Sequence, residues 1–289
     1  MFVILGGNGY VGSAFQRSLS AAGQEFTVKS RAQNDHSTHD SLLKCLRETH
    51  ATFVINAAGY TGRPNVDACE INKAECLAGN AVLPGTVREV CEHLKLPWGH
   101  VSSGCIYTGS KPDDTGFTED DAPNFSFRQN NCSFYSGCKA LGEEVLSGAE
   151  RCFIWRLRIP FNEHDSPRNY ISKMLRYDRL LHATNSLSEL TEFANACIAC
   201  WVNRVDFGIY NLTNPGCITT GEVVDMIIRH GLSDKQFSFF RSEEDFMQQA
   251  AATPRSNCVL DVSKAMAAGL PLSPVHVAVE RALKNWKSG

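Results

Sequence analysis

Phe2-Val3-Ile4-Leu5 runs directly into Gly6-Gly7-Asn8-Gly9-Tyr10-Val11-Gly12. A short apolar run closed by glycines reads as a buried parallel strand, a tight turn and the start of a helix. In that order the amides of the helix N-terminus face an anion, and the spacing suits the pyrophosphate of a dinucleotide. Gly6 permits the turn, Gly9 lets the backbone approach the phosphates, and Gly12 lets the helix pack closely on the sheet. Tyr10 and Val11 then line the cofactor loop.

Outward from this stretch, apolar runs alternate with amphipathic ones. Strands are predicted at Phe2 to Leu5, Phe26 to Lys29, Phe53 to Asn56, Trp98 to Ser102 and Phe153 to Leu157. Helices are predicted between them, at Ser13 to Ala22, Ser41 to Thr49, Ala81 to Leu94 and Ser136 to Leu146. Such alternation predicts an α/β fold with a doubly wound, Rossmann-like parallel sheet and ligands at the carboxyl ends of its strands. After Pro160 the rhythm breaks into a loop, Asn162 to Arg168, and a helix at Tyr170 to Arg176. A helix at Ser188 to Val202 and a strand at Gly208 to Leu212 return to the main sheet. Helices near Gly221 to His230, Glu243 to Ala251 and Val275 to Trp286 form a smaller C-terminal substrate lobe. The division expected is residues 1–160 and 187–212 for the dinucleotide, with 161–186 and 213–289 for the substrate.

With 289 residues the chain can bury a full core, and its net charge of −3 offers no basic footprint for nucleic acid. No run approaches the ~18 apolar residues of a membrane span. No leader opens the sequence, so a soluble, cytoplasmic protein is expected. Twelve cysteines in such a chain read as reduced thiols, most of them small core residues. Cys197-Ile198-Ala199-Cys200 lies in an apolar helix and reads as packing. His36 and His39 lie in a polar loop, and no metal site is expected.

Tyr135-Ser136-Gly137-Cys138-Lys139 is Y-x-x-x-K, and Val101-Ser102-Ser103-Gly104 lies upstream at a strand end. Positions i and i+4 share a helix face, so phenol and ammonium can point into one pocket. A cation beside the phenol is expected to lower its pKa, as an acid working near neutral pH requires. Ser103 would hydrogen-bond a carbonyl undergoing reduction.

With these residues assembled, the chain resembles the extended short-chain dehydrogenase/reductases over essentially its whole length. Asn56-Ala57-Ala58-Gly59-Tyr60-Thr61-Gly62-Arg63-Pro64-Asn65-Val66-Asp67 and Ser103-Gly104-Cys105-Ile106 are similar to the nucleotide-rhamnose synthase/epimerase-reductase group. So are Ser133-Phe134-Tyr135-Ser136, Arg156-Leu157-Arg158-Ile159-Pro160, Pro167-Arg168-Asn169-Tyr170-Ile171-Ser172-Lys173, Asn211-Leu212-Thr213-Asn214-Pro215-Gly216 and Pro254-Arg255-Ser256-Asn257. That group epimerises an NDP-4-keto-6-deoxyglucose at C3 and C5 and then reduces C4 with NADPH. Bacterial dTDP-4-dehydrorhamnose reductases are more distant and typically lack the Gly62 to Pro64 insertion. The resemblance implies acid/base work for Cys105 and Lys173, and cofactor contacts from Ala57, Ala58, Gly59, Tyr135 and Lys139. It implies substrate contacts from Arg63, Asn65, Arg168, Asn169 and Arg255. By themselves Cys105 reads as a buried strand-end thiol and Lys173 as a surface or phosphate-contacting lysine. Arg168 and Arg255 suit diphosphate oxygens, with surface ion pairing as the plain alternative. The chain departs from the group at Asn8-Gly9-Tyr10-Val11, where Thr-Gly-Trp-Ile is usual, and in the longer segment Arg128 to Cys132.

The second strand ends Val28-Lys29-Ser30-Arg31, without the carboxylate that binds the ribose of NAD. Ser30 and Arg31 would suit a 2′-phosphate, so NADPH is the expected cofactor, with NADH the alternative. The substrate carrier is UDP or dTDP. Pairing of two copies through helices beside the site is frequent in this superfamily. A reductase without epimerase activity and a non-catalytic dinucleotide-binding subunit remain as rival readings.

Overall fold

The computed structural model describes residues 1–30, 37–112 and 115–288. Five strands, β1 (Phe2–Leu5), β2 (Phe26–Lys29), β3 (Phe53–Asn56), β4 (Trp98–Ser103) and β5 (Cys152–Leu157), form where the apolar runs predict them. They join Gly208–Asn211 in one parallel sheet, ordered Gly208–Asn211, β5, β4, β3, β1, β2. The chain therefore winds in one direction from β1 to β2 and in the other from β3 onward. In an open α/β sheet the ligand crevice lies where that reversal occurs, outside the carboxyl ends of β1 and β3. Register places Leu5 beside Asn56, so the loops following these strands rise from the same point.

The helices in chain order are α1 (Tyr10–Ala21), α2 (His39–Glu48), α3 (Ala68–Ile71), α4 (Lys73–Leu77), α5 (Leu83–His93) and α6 (Phe134–Val145). They continue with α7 (Tyr170–Arg176), α8 (Leu190–Val202), α9 (Thr220–Arg229), α10 (Glu243–Gln249), α11 (Ser263–Ala267) and α12 (Val275–Lys284). One face of the sheet packs Phe15, Phe53, Trp155 and Phe193, while the other packs Leu42, Val87, Val90 and Trp98. Each large apolar side chain removed from water contributes roughly 1.5–3 kcal/mol. Cys197 and Cys200 are buried in the first of these layers, as packing residues. Every cysteine except Cys132 and Cys217 is buried. A separate cluster, including Phe161, Ile171, Met174, Leu180, Val223, Ile227, Val279 and Leu283, joins α7, α9 and α12.

Three differences from the sequence reading have physical causes. The helix expected from Ala81 is preceded by a π-helical turn, Ala78–Val82, where Asn80 Nδ2 turns away to the Tyr60 carbonyl at 2.7 Å. Helices α3 and α4 are too short for helical periodicity to register in the sequence. Ser188 and Glu189, expected in a helix, instead pair with Pro160–Phe161, and the Glu189 carboxylate caps α8 through the Thr191 and Glu192 amides. Among the described residues no helix is long and apolar enough to cross a membrane.

Candidate active site

The glycine turn is shaped by close approach as much as by its own bend. Gly6 has φ +74°, and a Cβ there would lie 2.6 Å from Ala58 Cα in the loop after β3. A Cβ on Gly12 would lie 2.3 Å from the Gly6 carbonyl oxygen. Gly9, exposed at the start of α1, donates its N–H to that same carbonyl at 3.0 Å. The second loop is tied down by Ala57 N–H on the Leu5 carbonyl at 3.0 Å and by Ala58 N–H on Asn56 Oδ1 at 3.2 Å. Gly59 follows on its open side. Two backbone segments thus meet without intervening side chains, which is the surface a pyrophosphate needs. Tyr10 and Val11 pack half-buried against the sheet, with the Tyr10 hydroxyl 3.4 Å from Asn162 Oδ1. Ser30 closes β2 at the other side of the crevice, while Arg31 and His36 lie outside the described residues. Gly12→Ala should weaken binding of the expected dinucleotide about tenfold or more, because the added methyl must displace backbone rather than a side chain. Fluorescence titration with NADPH measures this; unchanged affinity would remove Gly12 from the cradle.

At the end of β4, Ser103 Oγ accepts the Cys105 N–H at 3.2 Å and opens a 3-10 turn, Gly104–Ile106. Across from it α6 begins at Ser133, whose Oγ accepts the Ser136 N–H at 3.1 Å, and Glu70 accepts the Phe134 N–H at 2.7 Å. These contacts set Tyr135 and Lys139 on the inner face of α6. Lys139 is buried and donates to the Val101 carbonyl at 3.2 Å. Its Nζ lies 3.8 Å from the point a Gly59 Cβ would occupy, so it reaches the cofactor loop. Ser103 and Ser136 lie beside the Cys105 thiol and favour its charged form, and Tyr135 and Lys139 both face it. Ser103, Cys105, Tyr135 and Lys139 therefore form one group.

The expected depression of the Tyr135 pKa is corrected by the structure. Burial pushes the phenol well above its ordinary value, with the Cys105, Cys69 and Cys76 thiols adding to the rise and Arg168 opposing it. Burial likewise lowers Lys139, against Cys105 and Glu143, and its ammonium is held by a carbonyl. In the protein alone Tyr135 is a protonated donor.

A second group faces the first. Lys173, on α7, is lowered by burial and then by Arg168 and Arg255. Arg168 donates to the Gly62 carbonyl at 2.7 Å and is near enough to Tyr135 to act on its phenol. Arg255 makes a bidentate pair with Asp67, both bonds 2.7 Å. Asn65 Oδ1 accepts the Asp67 N–H at 2.8 Å and so shapes this wall, and Arg63 is exposed on the same loop. Asn169, expected to touch substrate, is fully buried. Its amide binds the Asn162 carbonyl, Asn162 Oδ1 and the His164 carbonyl, and its Oδ1 caps α7 through Ile171 N–H. The amide is spent on the loop that carries Arg168 and leads into α7, where Lys173 lies.

Sequence reasoning passed over Asn80, Asp67 and Glu143. Asn80 pins Tyr60 and lies 3.1 Å from the point a Gly59 Cβ would occupy, and nothing local marks it. Glu143 was legible, since it follows Lys139 by four residues on the same face. It accepts Ser102 Oγ at 2.5 Å and Arg156 Nη2 at 2.7 Å, a buried pair beneath the lysine.

A six-stranded parallel sheet with a glycine turn after β1, a serine ending β4 and Tyr-x-x-x-Lys on α6 defines an extended short-chain dehydrogenase/reductase. Comparison with known proteins agrees. Residues 1–288 match the model of the RmlD substrate binding domain, and the chain belongs to that family. It is 33% identical to the bifunctional dTDP-4-dehydrorhamnose 3,5-epimerase/dTDP-4-dehydrorhamnose reductase of Arabidopsis thaliana, over 91% of this chain and 85% of the relative. Longer trifunctional relatives from the same plant extend well beyond it, the chain spanning 38 or 39% of their length. Among solved structures, L780 UDP-rhamnose synthase of Acanthamoeba polyphaga mimivirus superposes with TM-score 0.88 at 23% identity, covering 98% of each chain. The Bacillus anthracis dTDP-4-dehydrorhamnose reductase in complex with NADP superposes with TM-score 0.81 at 18% identity, over 99% of this chain and 97% of that one.

Proposed function

We propose that this protein reduces the C4 ketone of an NDP-4-keto-6-deoxyhexose with NADPH, after epimerising the sugar at C3 and C5. The carrying observation is that Arg168 acts electrostatically on the Tyr135 phenol and, with Arg255, on Lys173, so this cation group lies within electrostatic reach of the proton donor. A sugar ketone at Tyr135 would then leave its diphosphate against arginines, whose forks suit phosphate oxygens. The bound nicotinamide supplies the hydride. Ser103 orients the ketone oxygen, Tyr135 gives it a proton, and Lys139 brings its charge to the edge of the cofactor loop. The cluster around α7, α9 and α12 is assigned to the substrate.

Epimerisation is supported by opposite displacements of two groups. Burial raises the Cys105 thiol and keeps its proton on, and burial together with two arginines lowers the Lys173 amine. A C4 ketone acidifies the hydrogens on both neighbouring carbons, so inversion needs one group to remove a proton and another to return one from the opposite face. Lys173 fits the acceptor and Cys105 the donor. The deep burial of Cys105 favours one further reading, a reductase in which this thiol only packs. Incubation with NADPH and UDP- or dTDP-4-keto-6-deoxyglucose, followed by product NMR, tests the activity. A rhamnose nucleotide is expected, and unconsumed NADPH with both would reject it.

NADPH is preferred because Ser30 and Arg31 follow β2 without a carboxylate. Arg31→Ala should raise KM for NADPH much more than for NADH; equal changes would show that Arg31 reads no phosphate. Leu77, Val82 and Val145 are exposed apolar side chains on α4, the π turn and α6, where a second copy would pair.

A further inference from the structure

Two arginines stand at the end of β5, and only one meets a carboxylate. Arg156, 2% exposed, pairs with Glu143 through Nη2 at 2.7 Å and Nε at 3.1 Å. Arg158, 7% exposed, donates Nη2 to Asn185 Oδ1 at 2.7 Å and to the Ser256 carbonyl, both neutral. Its Nε has no acceptor among the described residues. A guanidinium taken out of water is costly unless an anion offsets it, and among the described residues Arg158 has only neutral acceptors.

The neighbouring group that can supply an anion is Cys105. Arg158 Cδ lies 3.5 Å from the point a Gly104 Cβ would occupy, one residue before the cysteine. Cys105 is faced by Ser103 from β4, by Tyr135, Ser136 and Lys139 from α6, by Cys132 from the preceding loop and by Arg158. The cations in that set are Lys139 and Arg158, and Lys139 is already bound to Val101 and faces Glu143.

We propose that Arg158 is the counter-cation of the Cys105 thiolate, a positioning residue that lets Cys105 release its proton in a buried site. In the step concerned, the S–H bond breaks, its electron pair stays on sulfur beside Arg158, and the proton forms the new C–H bond on the enolised sugar. The proton removed from the opposite face stays on Lys173. Nothing is oxidised or reduced. This rests on the reading of Cys105 as an epimerase acid, but its test needs no substrate.

The probe is iodoacetamide on the full-length protein at mildly alkaline pH, with the rate for each cysteine followed by peptide mass spectrometry. Only thiolate reacts, so removal of the counter-cation should slow Cys105 about tenfold in Arg158→Gln while exposed Cys217 keeps its rate. Arg158→Lys retains the charge without the fork and should restore most of the Cys105 rate. An unchanged Cys105 rate in Arg158→Gln overturns the proposal, and so does a loss in Arg158→Lys as large as in Arg158→Gln. A slowed Cys105 in an enzyme that exchanges no substrate protons leaves the counter-cation standing and removes the epimerase reading alone.

Discussion

Tyr135→Phe should reduce its ketone about a hundredfold or more slowly than wild type, with NADPH affinity changed by no more than about twofold. The asymmetry follows from what the hydroxyl touches. The proposed dinucleotide cradle is backbone from the glycine turn and the loop after β3, and Lys139 reaches that loop from one helical turn further along α6. Phe keeps the ring against buried Cys69, Cys76 and Cys138, so packing is preserved. What disappears is an oxygen that, pushed well above the ordinary phenol pKa by burial, carries its proton throughout the neutral range. The sign of the pH dependence follows. Reduction should not fall through loss of the Tyr135 proton until clearly alkaline pH, and that alkaline limb should be absent from the residual rate of Tyr135→Phe. Single-turnover oxidation of NADPH with a 4-keto-rhamnose nucleotide measures both. A variant that matches wild type on this substrate would refute the proton-donor role.

The elements that carry this chemistry were legible because each is local. β1, β2 and β3 have the predicted bounds, and for β1 and β3 a run such as Phe53-Val54-Ile55-Asn56 buried on both faces leaves a continuous apolar signal. Gly6 and Gly12 were legible as a turn, but what they must avoid, Ala58 and Gly6 itself, is set by register between β1 and β3. Tyr135 and Lys139 share a face because they lie four apart, and Glu143 extends the same arithmetic. The fate of Asn169 was not legible. An Asn between Arg and Tyr reads equally as a ligand or as a cap, and only the fold brings Asn162 and His164 to occupy its amide. The Tyr135 pKa failed for a related reason: spacing puts Lys139 on the same face, while the cation that opposes the rise is Arg168 and the burial that overrides it is a property of the assembled core.

Separating epimerisation from reduction gives the other large effect. In deuterated water without NADPH, wild-type enzyme should wash deuterium into both C3 and C5 of a 4-keto-6-deoxyglucose nucleotide, observed by NMR. Lys173→Ala should slow that exchange by about two orders of magnitude, the usual scale of general-base loss, and Cys105→Ser should weaken it as well. Both variants should still reduce a pre-epimerised 4-keto-rhamnose nucleotide, because Tyr135, Ser103 and Lys139 are untouched. The pH profile distinguishes a working amine from a structural one. A base acts unprotonated, so exchange should rise with pH, and burial with Arg168 and Arg255 places that rise below the range of an ordinary lysine. Arg168 contributes to this shift, so Arg168→Gln should move the rise to higher pH instead of abolishing exchange. If wild-type enzyme exchanges neither carbon while reducing the pre-epimerised ketone efficiently, Cys105 is a buried thiol beside a reductase site, and Lys173 belongs with Arg168 and Arg255 as a phosphate contact.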